Sequence, residues 1–265
     1  MKVGIFINTT KSDANKHANE FSAILHDKGI ESKVVHLKED CKDVDVIAVF
    51  GGDGTILRVV EYAISYDIPI LAVNTGTVGF LSCIEPNQLE KAVELITSNK
   101  PSIEKRSVLK IRYNGEKYYA LNEVLVQRYQ CGVCKLSLEI GGNFVDKFNA
   151  DGIIISTPTG STAYSLSAGG SVLTPDINAF IATPICSHSL HNRPIVYNDS
   201  NTAIVKVLEN SNKCTLFIDG KKITLLNGGE KIEVLKSKKM VKFYTMQANF
   251  FEKLIYKLNK WSEVE

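Results

Sequence analysis

Five consecutive apolar residues, Val46-Ile47-Ala48-Val49-Phe50, run directly into Gly51-Gly52-Asp53-Gly54-Thr55. Apolar residues then recur at Ile56, Leu57, Val60, Ala63 and Ile64. The first run suits a strand and the last a helix with one apolar face. A strand that is apolar throughout needs cover on both faces, as in a parallel sheet flanked by helices. The turn between strand and helix is nearly bare of side chains, so a ligand can approach its backbone closely. Its N–H groups and the positive end of the helix suit an anion, most simply a phosphate. A carboxylate beside phosphates is repelled unless it serves a purpose. It can hold a divalent cation or take a proton from an attacking hydroxyl. The alternative is that Asp53 or Thr55 only caps the helix.

The same alternation fills residues 1–98. Val3–Ile7 reads as a strand ending at Asn8-Thr9, followed by a helix with Ala14, Ala18, Phe21, Ile24 and Leu25 on one face and Gly29 as its stop. Short strands are expected at Val34–Leu37 and at Pro69–Val73, the latter ending in Asn74-Thr75-Gly76, and a helix at Glu90–Thr97. This pattern predicts an α/β N-terminal domain with a Rossmann-like parallel sheet, whose ligands sit beyond the carboxyl ends of the strands. The glycine turn lies at such an end.

From residue 99 to 245 the pattern changes to strands joined by tight turns. Asn114-Gly115, Gly141-Gly142 and Asp219-Gly220 each separate two strand-like runs, which is a strong hairpin signal. Further strands are expected at Lys231–Leu235 and Val241–Thr245, giving a β-rich C-terminal domain. Phe250–Trp261 then carries Phe251, Leu254, Ile255 and Leu258 on one helical face. Residues 246–265 are expected to return to the first domain and bury that stripe.

Bulk properties narrow the function classes. The 265 residues include 31 Lys and Arg against 29 Asp and Glu, a net charge of +2 that gives no support for nucleic acid or a membrane surface as partner. No apolar run approaches the ~18 residues of a membrane span. Met1–Ile7 is too short for a secretory signal, so the cytoplasm is the expected compartment. Of the cysteines at 41, 83, 131, 134, 186 and 214, only Cys131 and Cys134 are close in sequence, and no second pair completes a zinc site. They read as reduced and mostly structural, a metal or redox role being the alternative. His17, His26, His36, His188 and His191 show no metal-ligand spacing.

Two stretches of the β-rich half carry chemistry of their own. Thr157-Pro158-Thr159-Gly160-Ser161-Thr162-Ala163-Tyr164 and Ser165-Leu166-Ser167 crowd hydroxyls and backbone groups into one turn after the strand Ile153–Ser156. Such groups can read a purine edge or a ribose, with Tyr164 as a stacking face. A proline–glycine loop with hydroxyl caps is the alternative. Asn122-Glu123 interrupts an apolar strand, and at a strand end both side chains could meet one ligand, suiting ribose hydroxyls. A solvated edge is the alternative there. Asp151, before the Ile153 strand, is similarly ambiguous, as is Arg58, four residues after Gly54 and able to point toward a phosphate.

With these motifs in order along nearly the whole chain, the sequence resembles the NAD kinases. The resemblance rests on Gly51–Thr55, Asn74-Thr75-Gly76-Thr77-Val78-Gly79-Phe80-Leu81, Asn122-Glu123, Asp151-Gly152, Thr157–Tyr164, and His188-Ser189-Leu190 with Arg193-Pro194. It implies transfer of the γ-phosphoryl of ATP to the 2′-hydroxyl of the adenosine ribose of NAD, giving NADP. It implies Asp53 as general base, Gly54 and Arg58 near phosphates, and Asn122 and Glu123 on a ribose. Asp151 and the run Thr162, Ala163, Tyr164, Ser165, Leu166 and Ser167 would hold the dinucleotide. It further implies Mg²⁺ or another divalent cation accompanying ATP, and a homo-oligomer, dimer or tetramer. Asn149, Ser187 and Lys221 depart from residues common in that family at those positions. Two other readings compete: a lipid kinase of the diacylglycerol or sphingosine kind, which shares a glycine-rich turn, and a non-catalytic dinucleotide sensor, which has no use for an acid beside phosphates.

Overall fold

The computed structural model describes residues 1–9, 12–76, 79–189, 192–246 and 249–262. Thr77, Val78, Leu190 and His191 of the sequence motifs lie outside the described residues. In order the chain forms β1 (Lys2–Ile7), α1 (Ser12–Asp27), β2 (Glu31–Val34), β3 (Val46–Gly51), α2 (Asp53–Tyr66), β4 (Ile70–Asn74), α3 (Leu89–Thr97) and β5 (Ile103–Arg106). There follow β6 (Leu109–Tyr113), β7 (Glu116–Ala120), β8 (Glu123–Arg128), β9 (Cys134–Ile140), β10 (Asn143–Ala150), β11 (Gly152–Ser156) and the single-turn helix α4 (Tyr164–Ser167). The remainder is β12 (Ala179–Ile185), β13 (Ile195–Asn198), β14 (Ala203–Val207), β15 (Cys214–Ile218), β16 (Lys221–Leu226), β17 (Lys231–Lys236), β18 (Val241–Tyr244) and α5 (Phe250–Ser262). The chain divides into two units, Met1–Lys105 with Val241–Glu265, and Arg106–Met240.

In the first unit the sheet runs β2-β1-β3-β4-β18-β5, with β1, β2, β3, β4 and β18 parallel where they pair. Every residue of β3 and β4 is buried, as an all-apolar strand between two helical layers requires. Ile5, Ala48, Phe50 and Leu71 pack with Ala14, Phe21 and Leu25 of α1 and Ala92 and Val93 of α3. On the other face Phe6 meets Tyr62 of α2, ring centroids 6.4 Å apart.

One expected strand moves. The residues Val34–Leu37 do not form it: β2 ends at Val34, and Leu37 precedes a 3-10 turn, Lys38–Cys41. The Asp40 carboxylate accepts the N–H groups of His36 (2.8 Å) and Leu37 (2.9 Å), diverting the chain into a turn where the apolar pattern alone would extend it.

The second unit consists of two antiparallel sheets, β10-β9-β14-β17-β6-β7 and β13-β12-β11-β8-β15-β16. Ile111, Leu136 and Val234 of one sheet share a core with Val126, Ile155 and Phe180 of the other. All three expected hairpins form. Both turn residues have positive φ at Asn114 and Gly115 (48° and 81°), Gly141 and Gly142 (59° and 79°), and Asp219 and Gly220 (45° and 76°). That geometry matches the twist of the flanking strands.

The C-terminal helix α5 groups with the first unit, but a different face of it is covered. Phe251, Ile255 and Leu258 remain 56%, 59% and 40% exposed. The inward face carries Phe250, Lys253 and Lys257. Phe250 stacks near Phe80, centroids 6.4 Å apart, and the Lys253 ammonium donates to the Ser82 carbonyl at 3.1 Å. Polar contacts with the segment after β4 override the hydrophobic stripe in setting the rotation of the helix.

Candidate active site

In the first unit, β3 delivers the chain to the glycine turn and α2 leaves it. Gly52 is the residue before the helix and has no side chain to cap it. Among the described residues, a Cβ placed on Gly52 or Gly54 would meet nothing within 4 Å, so open space borders the helix N-terminus there. Asp53 does not fold back onto its own turn. Its carboxylate reaches the segment after β4, where Oδ2 accepts the Phe80 N–H at 2.8 Å and Oδ1 accepts the Leu81 N–H at 3.2 Å. Thr55 is also engaged elsewhere, its hydroxyl oxygen accepting from the Asn8 amide at 3.2 Å. Capping therefore explains neither residue. Gly79 allows the approach: a Cβ there would lie 2.0 Å from Asp53 Oδ1. Two backbone donors thus hold a half-buried carboxylate with fixed lone pairs beside a bare turn.

A residue that no sequence motif marks completes this cluster. The Lys257 ammonium lies 3.5 Å from Asp53 Oδ2 and 4.0 Å from the centre of the Phe80 ring, with the side chain 8% exposed. Burial pulls its pKa below the ordinary lysine value, and the Asp53 charge pulls the other way. Arg58 lies over the Phe6 ring, 5.2 Å from its centroid.

In the second unit β8 begins at Glu123, directly after Asn122. Three anchors fix them. The Asp219 carboxylate accepts the N–H groups of Leu121 (2.7 Å), Asn122 (2.8 Å) and Glu123 (3.0 Å). The Thr157 hydroxyl donates to the Leu121 carbonyl at 2.5 Å, and the Thr157 N–H donates to the Asn122 carbonyl at 2.9 Å. Gly160 closes against the same segment, since a Cβ there would lie 2.2 Å from the Asn122 carbonyl oxygen. Asn122-Glu123 and the hydroxyl-rich turn are one packed structure.

The hydroxyls of that turn are largely spent within the protein. Ser161 donates to the Pro158 carbonyl (2.6 Å), Thr162 donates to the Thr159 carbonyl (3.1 Å), and Ser165 pairs with Thr183 (2.9 Å). Tyr164 and Ser167 are exposed, and Ala163 and Leu166 are partly so. Asp151 is paired with Arg128, Nε to Oδ1 at 3.1 Å. Cys134 packs against Cys214, sulfur to sulfur at 2.7 Å.

Asp219 is the other residue that sequence motifs pass over. Its place before Gly220 marks it as a turn former, and nothing in its spacing announces a carboxylate that acts 97 residues away in sequence. Burial pushes its carboxyl up to about 6, against three N–H bonds that pull it down. Glu123 is more strained electrostatically. It is buried, its Oε2 has no hydrogen-bond partner among the described residues, and burial together with the Asp219 charge pushes its carboxyl up to about 8. In the unfolded chain Glu123 releases its proton near the ordinary 4.5, while the folded chain keeps it to about 8. The folded state therefore binds more protons across that window, and stability falls as pH rises through it. Asp219 shifts in the same direction but only to about 6. The slope between pH 6 and 8 then belongs to Glu123. Glu123→Gln is expected to remove it, a difference of about 4 kcal/mol in pH dependence between pH 5 and 9 relative to wild type. Thermal melts of both proteins over that range check this; parallel pH profiles would contradict it.

A parallel sheet ending in a bare turn, a helix N-terminus and an acid held by backbone donors suit phosphoryl transfer. The family model described as the ATP-NAD kinase N-terminal domain matches residues 7–100, and that for the ATP-NAD kinase C-terminal domain matches residues 121–246. The chain is 34% identical over 272 residues to the NAD kinase of Methanothermobacter thermautotrophicus, covering 97% of this chain and 96% of that protein. It is 37% identical over 277 residues to the NAD kinase of Treponema denticola, covering 98% and 96%. Among solved structures it superposes on an NAD kinase from Archaeoglobus fulgidus in complex with ATP, with TM-score 0.84, 25% identity, and coverage of 98% and 99%. Yeast NADH kinase complexed with NADH gives TM-score 0.90 at 24% identity, covering 100% of this chain and 89% of that one, which speaks to the fold. The chain belongs to the NAD kinase family.

Proposed function

We propose that the chain transfers the γ-phosphoryl group of ATP to the 2′-hydroxyl of the adenosine ribose of NAD, with Asp53 as the base that receives the hydroxyl proton. The observation that carries this reading is the Asp53 carboxylate, held by the Phe80 and Leu81 N–H groups beside a turn with open space at Gly52 and Gly54. Phosphoryl transfer asks a protein mainly for positioning and charge stabilisation. The turn and the N-terminus of α2 suit the phosphates. The fixed carboxylate suits the hydroxyl, since a base must meet the proton it abstracts in a set geometry.

In the second unit Asn122 and Glu123 are assigned to a ribose, and Asp151, with residues 162–167, to the dinucleotide. The exposed Tyr164 ring serves as a stacking face, while Thr162 and Ser165 shape the turn through their internal hydrogen bonds. Arg58 is assigned to the phosphate side, reached by leaving the Phe6 ring. The divalent cation, Mg²⁺ by this reading, accompanies ATP and is held by its phosphate oxygens. The reading includes a cytoplasmic homo-oligomer, dimer or tetramer. No helix among the described residues is long and apolar enough to cross a membrane.

Incubating the purified chain with NAD, ATP and Mg²⁺ and measuring NADP with an NADP-specific dehydrogenase tests the proposal. ATP-dependent accumulation of NADP is expected. Tight NAD binding without turnover would replace the kinase by a sensor.

A further inference from the structure

The rotation of α5 is the feature that hydrophobicity least explains. The helix leaves Phe251, Ile255 and Leu258 in solvent and buries an ammonium instead. Burying a lysine is unfavourable unless its charge is used, and local rules are most often broken where a site needs them broken. The buried charge lies on Asp53. That carboxylate already accepts two backbone N–H bonds, so it does not need a lysine to be held in place.

We propose that Lys257 is a catalytic residue of the phosphoryl transfer, contacting the γ-phosphoryl oxygens of ATP as they pass to the acceptor hydroxyl. This rests on the reading of Asp53 as the base. A hydroxyl that gives its proton to Asp53 sits within hydrogen-bond reach of it, about 2.6–3.2 Å. The phosphorus it attacks sits about 3–3.5 Å beyond. An ammonium 3.5 Å from Asp53 Oδ2, on a four-carbon stem, can meet oxygens of that phosphoryl group. Before ATP binds, the Lys257 charge offsets that of Asp53. When the phosphates arrive, the ammonium turns to the more highly charged phosphoryl oxygens, and the Oδ2 lone pair it leaves accepts the hydroxyl proton. The ribose oxygen forms a bond to the γ-phosphorus. The bond from that phosphorus to the β–γ bridging oxygen breaks, its electron pair staying with ADP. The hydroxyl proton passes to Asp53, and Lys257 keeps its own protons throughout.

The test measures kcat and KM for NADP formation in Lys257→Met, Lys257→Arg, Lys253→Met and Asp53→Asn, with a thermal melt of each. Lys257→Met is expected to lower kcat ~10²-fold, the scale of losing one donor to a charge that develops in the transition state. KM for NAD is expected to stay within ~3-fold, as for an interaction made in the transition state. Lys257→Arg should recover most of kcat, because it restores the charge. Lys253→Met, which removes a second lysine contact of α5, should change melting without this loss of kcat. The proposal is overturned if Lys257→Met turns over normally while Asp53→Asn does not. It is also overturned if Lys257→Met is faster than wild type, which would make the ion pair a latch, or if Lys253→Met and Lys257→Met behave alike. Normal turnover in Asp53→Asn would instead overturn the assignment of the base.

Discussion

Asp219→Ala is expected to destabilise the protein by about 3 kcal/mol and to lower its melting temperature by on the order of 10 °C. The carboxylate is the shared acceptor for three N–H groups, those of Leu121, Asn122 and Glu123. Alanine leaves all three donors without that partner, each costing about 1–3 kcal/mol when buried. Position 219 also has φ of 45°, a left-handed conformation that alanine adopts at an added cost of about 1 kcal/mol. Relief of the desolvation that raises the Asp219 carboxyl offsets part of the loss. Asp219→Asn separates these effects, since asparagine tolerates the left-handed turn and keeps one oxygen acceptor. Its loss is expected to be less than half that of alanine. Thermal melts at pH 7 check both, and a loss below ~0.5 kcal/mol in Asp219→Ala, the range of ordinary surface substitutions, would show that the three donors find other partners. If Asn122 and Glu123 hold the ribose as proposed, the same variant also weakens NAD binding, because the pair loses its common anchor.

The parts of this fold set by local pattern are legible in the sequence alone. An unbroken apolar run such as Val46–Phe50 has one comfortable home, a strand covered on both faces. Asn114-Gly115, Gly141-Gly142 and Asp219-Gly220 reverse the chain because their residues tolerate positive φ, a property of the residues themselves. Motifs built on those elements, the glycine turn and Asn122-Glu123, are legible for the same reason. What stays hidden depends on partners far away in sequence. Asp219 is a turn residue by composition and an anchor for three N–H groups only in three dimensions. In α5 the apolar stripe points to the wrong face, because the contacts of Lys253 with Ser82 and of Lys257 with Asp53 decide the rotation. The strand expected at Val34–Leu37 gives way to two hydrogen bonds from Asp40, a competition that apolar periodicity does not register. The hydroxyls of residues 157–165 look available to a ligand in sequence, and most of them are engaged inside the turn.

Asp53 as the proposed base of a kinase acting on NAD is tested by one substitution. Asparagine at that position keeps size and shape, retains one oxygen to accept from Phe80 or Leu81, and cannot take a proton. The most direct measurement is NADP formation by Asp53→Asn beside wild type, with NAD affinity measured on both by calorimetry. A fall in kcat of ~10²–10⁴, the usual contribution of a general base, with NAD affinity little changed, is the predicted result. Turnover within a few-fold of wild type would contradict the claim and move proton transfer to another group.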